Sequence, residues 1–254
     1  MAAVAIAAGA GLARALGLGL SMTALQVSIG ALNDIHDAAD DAGHKPGKPI
    51  PAGVVSVSAA WAVVIAGAAG GVALGALLDV RIGALAVVVL LIGYGYDLAA
   101  KGTAWSWLPF AVGIPLLPVY GWLGAAGALP SFFIALVPMA VLAGAALAIA
   151  NARADLERDV ATITVSIATL LGVEGSWRLH AALWSVTFIV GLAWLAFRGV
   201  GLAQVAPVIG AAGLIGAAVA WSRDARPAGR ERAWQFEAAG GGLALLAWLA
   251  AAVR

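Results

Sequence analysis

Two segments of this chain repeat one acidic pattern. Asn33-Asp34-Ile35-His36-Asp37-Ala38-Ala39-Asp40-Asp41 and Asn151-Ala152-Arg153-Ala154-Asp155-Leu156-Glu157-Arg158-Asp159 both contain N-x-x-x-D-x-x-x-D. A helix that continues through such a segment brings positions i, i+4 and i+8 to one face. Asn33, Asp37 and Asp41 then form one ridge, and Asn151, Asp155 and Asp159 a second. Facing each other, the ridges would hold four carboxylates and two amides around one cavity. Carboxylates four residues apart oppose a helix, and at a membrane edge they are costlier still unless something neutralises them. Oxygen-only donors suit magnesium or calcium. Magnesium typically binds through one or two carboxylates plus substrate phosphates, so the pattern points to Mg2+ bridging a diphosphate. Asp34, Asp40 and Glu157 fall off the ridges and are candidates to orient the ligands. His36 and His44 are read as interfacial bystanders. One D-x-x-x-D at a helix end is ordinarily a solvated acidic cap. Two copies with the same leading Asn, in a chain with 13 acids, favour the chemical reading.

The elements that carry these ridges are membrane helices. Of the 254 residues, 63% are hydrophobic and 11% charged; a soluble domain carries roughly 25% charged residues. Charge-free runs fall at about 15–32, 54–78, 82–96, 105–129, 130–150, 179–197, 201–221 and 238–253, each near the ~20 residues a bilayer requires. Eight spans are expected, with residues 1–13 as a lead-in or the tail of a further helix. No signal peptide is expected, since no basic region precedes the first apolar run. With loops on alternating sides, one side holds 33–53, 97–104, 151–178 and 222–237. It takes every Lys and Arg except Arg14, Arg81, Arg198 and Arg254, and every acid except Asp79. The positive-inside rule assigns that side to the cytoplasm. A net charge of +1 implies no attraction to nucleic acid. The absence of cysteine excludes disulfide and thiolate chemistry.

With these motifs the chain resembles the UbiA superfamily of intramembrane prenyltransferases. The first motif continues through Lys45-Pro46-Gly47-Lys48-Pro49-Ile50-Pro51-Ala52-Gly53, similar to the family's basic-Pro segment before the next helix. The second continues through Thr164 to Leu171-Gly172. Between them, Tyr94, Tyr96 and Lys101 stand where the family tends to have Tyr then Lys at a cytoplasmic helix end. The resemblance implies an all-α polytopic membrane bundle of eight to nine transmembrane helices in two pseudo-repeats, forming a single domain over 1–254. The motif helices correspond to the family's second and sixth, with the first missing or reduced to residues 1–13.

The activity implied is Mg2+-dependent transfer of a prenyl group from an isoprenyl diphosphate to a hydrophobic or aromatic acceptor, at the cytoplasmic face of the inner (plasma) membrane. Asp37, Asp41, Asp155 and Asp159 would be the catalytic metal ligands. Asn33 and Asn151 would supply neutral oxygens or orient ligands. Lys48, Lys101 and Arg158 would meet phosphate oxygens, with Lys45 and Arg153 as weaker candidates. Tyr94 or Tyr96, and Trp105 or Trp107, would line an allylic cation through cation–π attraction; the tryptophans also suit an interfacial aromatic belt. Two other readings use the same residues: a terpene cyclase of the same family, which quenches the cation internally, and a cation-coupled transporter. The acids lie at one membrane face rather than at mid-depth, which disfavours the transporter.

Overall fold

The computed structural model describes residues 1–45, 47–223 and 226–253. Pro46, Asp224 and Arg254, used above in motif and charge patterns, lie outside the described residues, as does the side chain of His44. The regular elements among the described residues are all helices, with no strand. The helices are α1 (Ala2–Ala7), α2 (Leu12–His44), α3 (Val57–Leu78), α4 (Val80–Gly95), α5 (Leu108–Ala126), α6 (Phe133–Ala154), α7 (Leu156–Ala161), α8 (Ile167–Phe197), α9 (Leu202–Trp221) and α10 (Pro227–Ala252). A π-turn, Tyr96–Ala100, extends α4.

Seven of these segments are long and apolar enough to cross a bilayer, against the eight expected. The missing one is the run 238–253 inside α10. α10 itself has 26 residues, but its first third carries Arg230, Glu231 and Arg232, and Glu237 follows, so charge interrupts the apolar stretch. Outward-facing Leu77, Ile134 and Ile65 are among many large apolar side chains left exposed. Only lipid covers such a surface without penalty, so this is an integral membrane protein.

Two compact units divide the chain. The first comprises Met1–Lys101 and Leu116–Ala128; the second comprises Gly102–Pro115 and Leu129–Arg254. Each unit carries one acidic motif. In the first unit, α2 packs along α3 at close range. Gly67, Gly71 and Gly75 recur every fourth residue of α3, and a Cβ on Gly71 would lie 2.6 Å from Leu25 Cδ2. Small residues at such a seam let membrane helices pack backbone to backbone. Two serines one heptad apart pin the seam: Ser21 donates to the Gly71 carbonyl at 2.7 Å, and Ser28 to that of Val64 at 2.6 Å. Each serine also hydrogen-bonds a tyrosine hydroxyl, Tyr120 at 2.5 Å and Tyr94 at 2.6 Å. Leu18, Met22, Leu25, Ile82 and Ala86 fill the core beside them. Asp79 separates α3 from α4 and caps α4 by accepting from the Arg81 backbone N–H at 2.8 Å. The hydrogen bonds from Arg81 hold its carboxyl down to about 2.

In the second unit α6 is the central element, with every residue from Ala145 to Ala150 buried, on all sides of the helix. The expected polar loop 151–178 is largely helical instead. α8 starts at Ile167, where Ser166 and Thr169 form a capping box, and kinks at Gly172, whose φ of 69° suits glycine. α8 therefore has 31 residues, not the 19 of the run 179–197.

Candidate functional site

In the first unit α2 does run unbroken through its motif to His44, so Asn33, Asp37 and Asp41 share a face. Cations from two other segments neutralise this ridge. The Lys101 ammonium, at the end of the π-turn, donates to Asp37. The Lys48 ammonium, in the turn after α2, lies 2.7 Å from Asp41 Oδ2 and 2.9 Å from Asp34 Oδ1. Partial burial pulls the Lys48 pKa down, but the hydrogen bonds to Asp41 and Asp34 outweigh it and hold the group above its ordinary value. Asp41 is buried, and the Asp37 side chain keeps 18% of its exposure. His36, at the edge, reaches Asp37 at 3.5 Å. Lys45 is exposed and caps α2 through its backbone.

One residue of this cluster escaped the sequence reading. Asp97, in the first turn of the π-turn, is 2% exposed and accepts from the Asn33 amide at 2.9 Å. The signal was present: Asp97 is an acid at the end of an otherwise apolar run, four residues before Lys101. Tyr94 is half-buried, its hydroxyl fixed by Ser28, while the Tyr96 carbonyl accepts from the Lys101 N–H at 2.9 Å and closes the turn.

The second motif departs from the expected continuous ridge. α6 ends at Ala154, Asp155 leaves helical geometry at φ −96° and ψ 2°, and α7 restarts at Leu156. Asp155 and Asp159 thus lie on either side of a break, linked by the Asp159 N–H donating to the Asp155 carbonyl at 2.9 Å. Arg158 lies 3.1 Å from Asp155 and 3.8 Å from Asp159. α7 closes through a left-handed Ile163 (φ 55°), a strained conformation for a β-branched residue. Asn151 is half-buried on the last turn of α6. Trp105 is 65% exposed and Trp107 half-buried.

Arg153 is not available to phosphate. It is buried, and its guanidinium donates to the Val173 carbonyl at 2.5 Å, Ser176 Oγ at 2.9 Å and the Ser222 carbonyl at 3.2 Å. It clamps α6 to α8 and to the end of α9. Arg230, expected in a polar loop, is buried and pairs with Glu157. Glu237, placed in the same loop by sequence, is fully buried on α10; it accepts from Trp184 Nε1 at 2.9 Å and pairs with His180 Nε2 at 2.6 Å. Helical spacing explains the last two: Arg230 and Glu237 lie two turns apart on the face α10 turns inward.

Among the described residues, no three His, Asp or Glu side chains converge on one point. The donors nevertheless fit magnesium, which needs few protein oxygens and completes its shell with water and phosphate. In the first unit two carboxylates and one amide of a single helix face are all oxygen donors, and Asp37 is accessible.

A family model for the UbiA prenyltransferase family matches residues 1–239. Chlorophyll synthase, chloroplastic, of Oryza sativa subsp. japonica is 33% identical over 159 residues, 56% of this chain and 41% of the relative. The chain thus spans about two fifths of that relative's length. The apo structure of a UbiA homolog from Aeropyrum pernix K1 superposes with a TM-score of 0.76 at 21% identity, covering 97% of this chain and 93% of the other. A UbiA homolog from Archaeoglobus fulgidus bound to DMAPP and Mg2+ gives 0.70 at 20% identity, over 96% and 94%. Taken with the match over nearly the whole sequence, the acidic motifs and the helical fold identify this chain as a member of the UbiA prenyltransferase family.

Proposed function

We propose that this protein transfers a prenyl group from an isoprenyl diphosphate to a hydrophobic or aromatic acceptor within the membrane, with Mg2+ as cofactor. Asp37 and Asp41 in the first unit would hold metal, and so would Asp155 and Asp159 in the second. Asn33 and Asn151 provide amide oxygens beside them. Bound magnesium supplies Lewis-acid neutralisation of the departing diphosphate. Lys48, Lys101 and Arg158 take phosphate oxygens, Lys and Arg being the side chains suited to that role. Tyr94 and Tyr96 line the allylic end.

The observation that carries this reading is the charge pairing on α2: Asp37 with Lys101, and Asp41 with Lys48. A magnesium diphosphate brings both signs of charge. With that group bound, Asp37 and Asp41 would face metal in place of ammonium, and Lys101 and Lys48 would face phosphate in place of carboxylate. Each group stays neutralised as substrate enters, so little desolvation cost is left unmet. The UbiA homolog solved with DMAPP and Mg2+ supports the choice of substrate and metal. The excess of Lys and Arg on the motif side supports an inner-membrane protein with these segments in the cytoplasm, and the whole of 1–254 serves as one catalytic membrane domain.

The test is product analysis. Purified protein in lipid nanodiscs, given labelled geranyl diphosphate and Mg2+, is expected to yield prenylated product only when an acceptor is added. Label released as a cyclic hydrocarbon without acceptor would establish the cyclase reading instead. Intact diphosphate in every arm, with a panel of aromatic and lipid acceptors, would overturn prenyl transfer.

A further inference from the structure

Asn33 and Asp97 are 64 residues apart, and so are Asp37 and Lys101. α2 and the π-turn are therefore joined by two rungs one helical turn apart, Asn33–Asp97 and Asp37–Lys101. Only the second rung contains a group assigned above to phosphate. Asp97 faces no phosphate role, yet a buried carboxylate at the end of a membrane span is costly to keep without a function for its charge.

A side-chain amide has a donor end and an acceptor end, and a carboxylate only accepts. Asp97 Oδ1 therefore takes the Asn33 Nδ2 end, at 2.9 Å. The amide oxygen is the end left for a cation, on the face of α2 that Asn33 shares with Asp37. Unrestrained, the amide could turn over and present N–H to the metal, which repels it. Asp97 Oδ2 is buried and makes no hydrogen bond, so the carboxylate is not shared with a competing donor. We propose that Asp97 is a positioning residue that fixes Asn33 as an oxygen donor to the divalent cation. This rests on the function proposed above.

The test reads metal binding directly. Mn2+ uptake by the nanodisc-embedded protein, with the unreactive analogue geranyl S-thiolodiphosphate, is followed by the electron paramagnetic resonance signal of free Mn2+. Partners that orient metal ligands typically change affinity by about 10–100-fold. Asp97→Leu is expected to weaken Mn2+ about tenfold, Asn33→Leu about as much, and the double variant no more than either single one. Asp97→Asn keeps an acceptor oxygen for Asn33 and is expected to stay within about threefold of the parent. If Asp97→Leu does not fold, judged by size-exclusion chromatography, Asp97→Ala takes its place. Parent-like affinity in the Leu or Ala variant overturns the assignment, and so do losses that add in the double variant. A parent protein that takes up no Mn2+ with the analogue overturns the proposed function itself.

Discussion

Lys101, whose N–H closes the π-turn on the Tyr96 carbonyl, donates through its ammonium to Asp37 of α2, so one of the two cations that neutralise the acidic ridge comes from a different span. Under the proposed function, Lys101 would take a phosphate oxygen when metal is bound at Asp37. Lys101→Ala is expected to raise KM for the diphosphate substrate roughly thirtyfold, about 2 kcal/mol of charge-assisted hydrogen bonding, while the protein extracts and elutes as the parent does. An unchanged KM in steady-state assays would make the lysine a topological charge only.

Asp37→Ala and Asp155→Ala remove one proposed ligand from each motif. Each is expected to lower turnover at least about a hundredfold, the scale of losing one transition-state electrostatic contact, with membrane insertion intact. Parent-like turnover in either variant would separate that motif from the reaction.

Chelation is expected to abolish product formation, and excess Mg2+ to restore it. Full activity after exhaustive dialysis against EDTA would contradict a metal-assisted departure of diphosphate.

Away from the motifs, Glu237 serves as the common acceptor for His180 and Trp184 between α8 and α10. Glu237→Ala leaves two buried donors unmatched and is expected to cost about 3 kcal/mol, lowering Tm in detergent by roughly 6–12 °C. Glu174→Ala is the control. That side chain is 43% exposed and pairs with Arg178 and Arg223 at the surface, where such pairs contribute roughly 0–1 kcal/mol. Equal Tm values for the two variants would show that the buried pair does not hold the unit together.

Gly71→Val tests the α2–α3 seam. The added side chain collides with Leu25 and is expected to cost about 1–3 kcal/mol, read as a lower Tm and weaker diphosphate binding as α2 shifts. A parent-like Tm would show that the helices separate without penalty.

Composition and apolar run lengths alone determined a helical membrane protein, because lipid leaves the backbone no other way to satisfy its own polar groups at so low a charge content. The repeated N-x-x-x-D-x-x-x-D, read at helical spacing, determined that Asn33, Asp37 and Asp41 share a face, since α2 carries nothing that breaks it. Only the tertiary structure decided which charges are available. Arg153 stood in the second motif like a phosphate ligand, yet the carbonyls of Val173 and Ser222 engage it from distant elements. Arg230 and Glu237 counted as loop charges until α10 turned them inward. Asp97 gained its partner only when folding brought the end of α4 to Asn33. Period and composition are local properties of a chain; the partner of a buried charge is set by whichever distant segment packs against it.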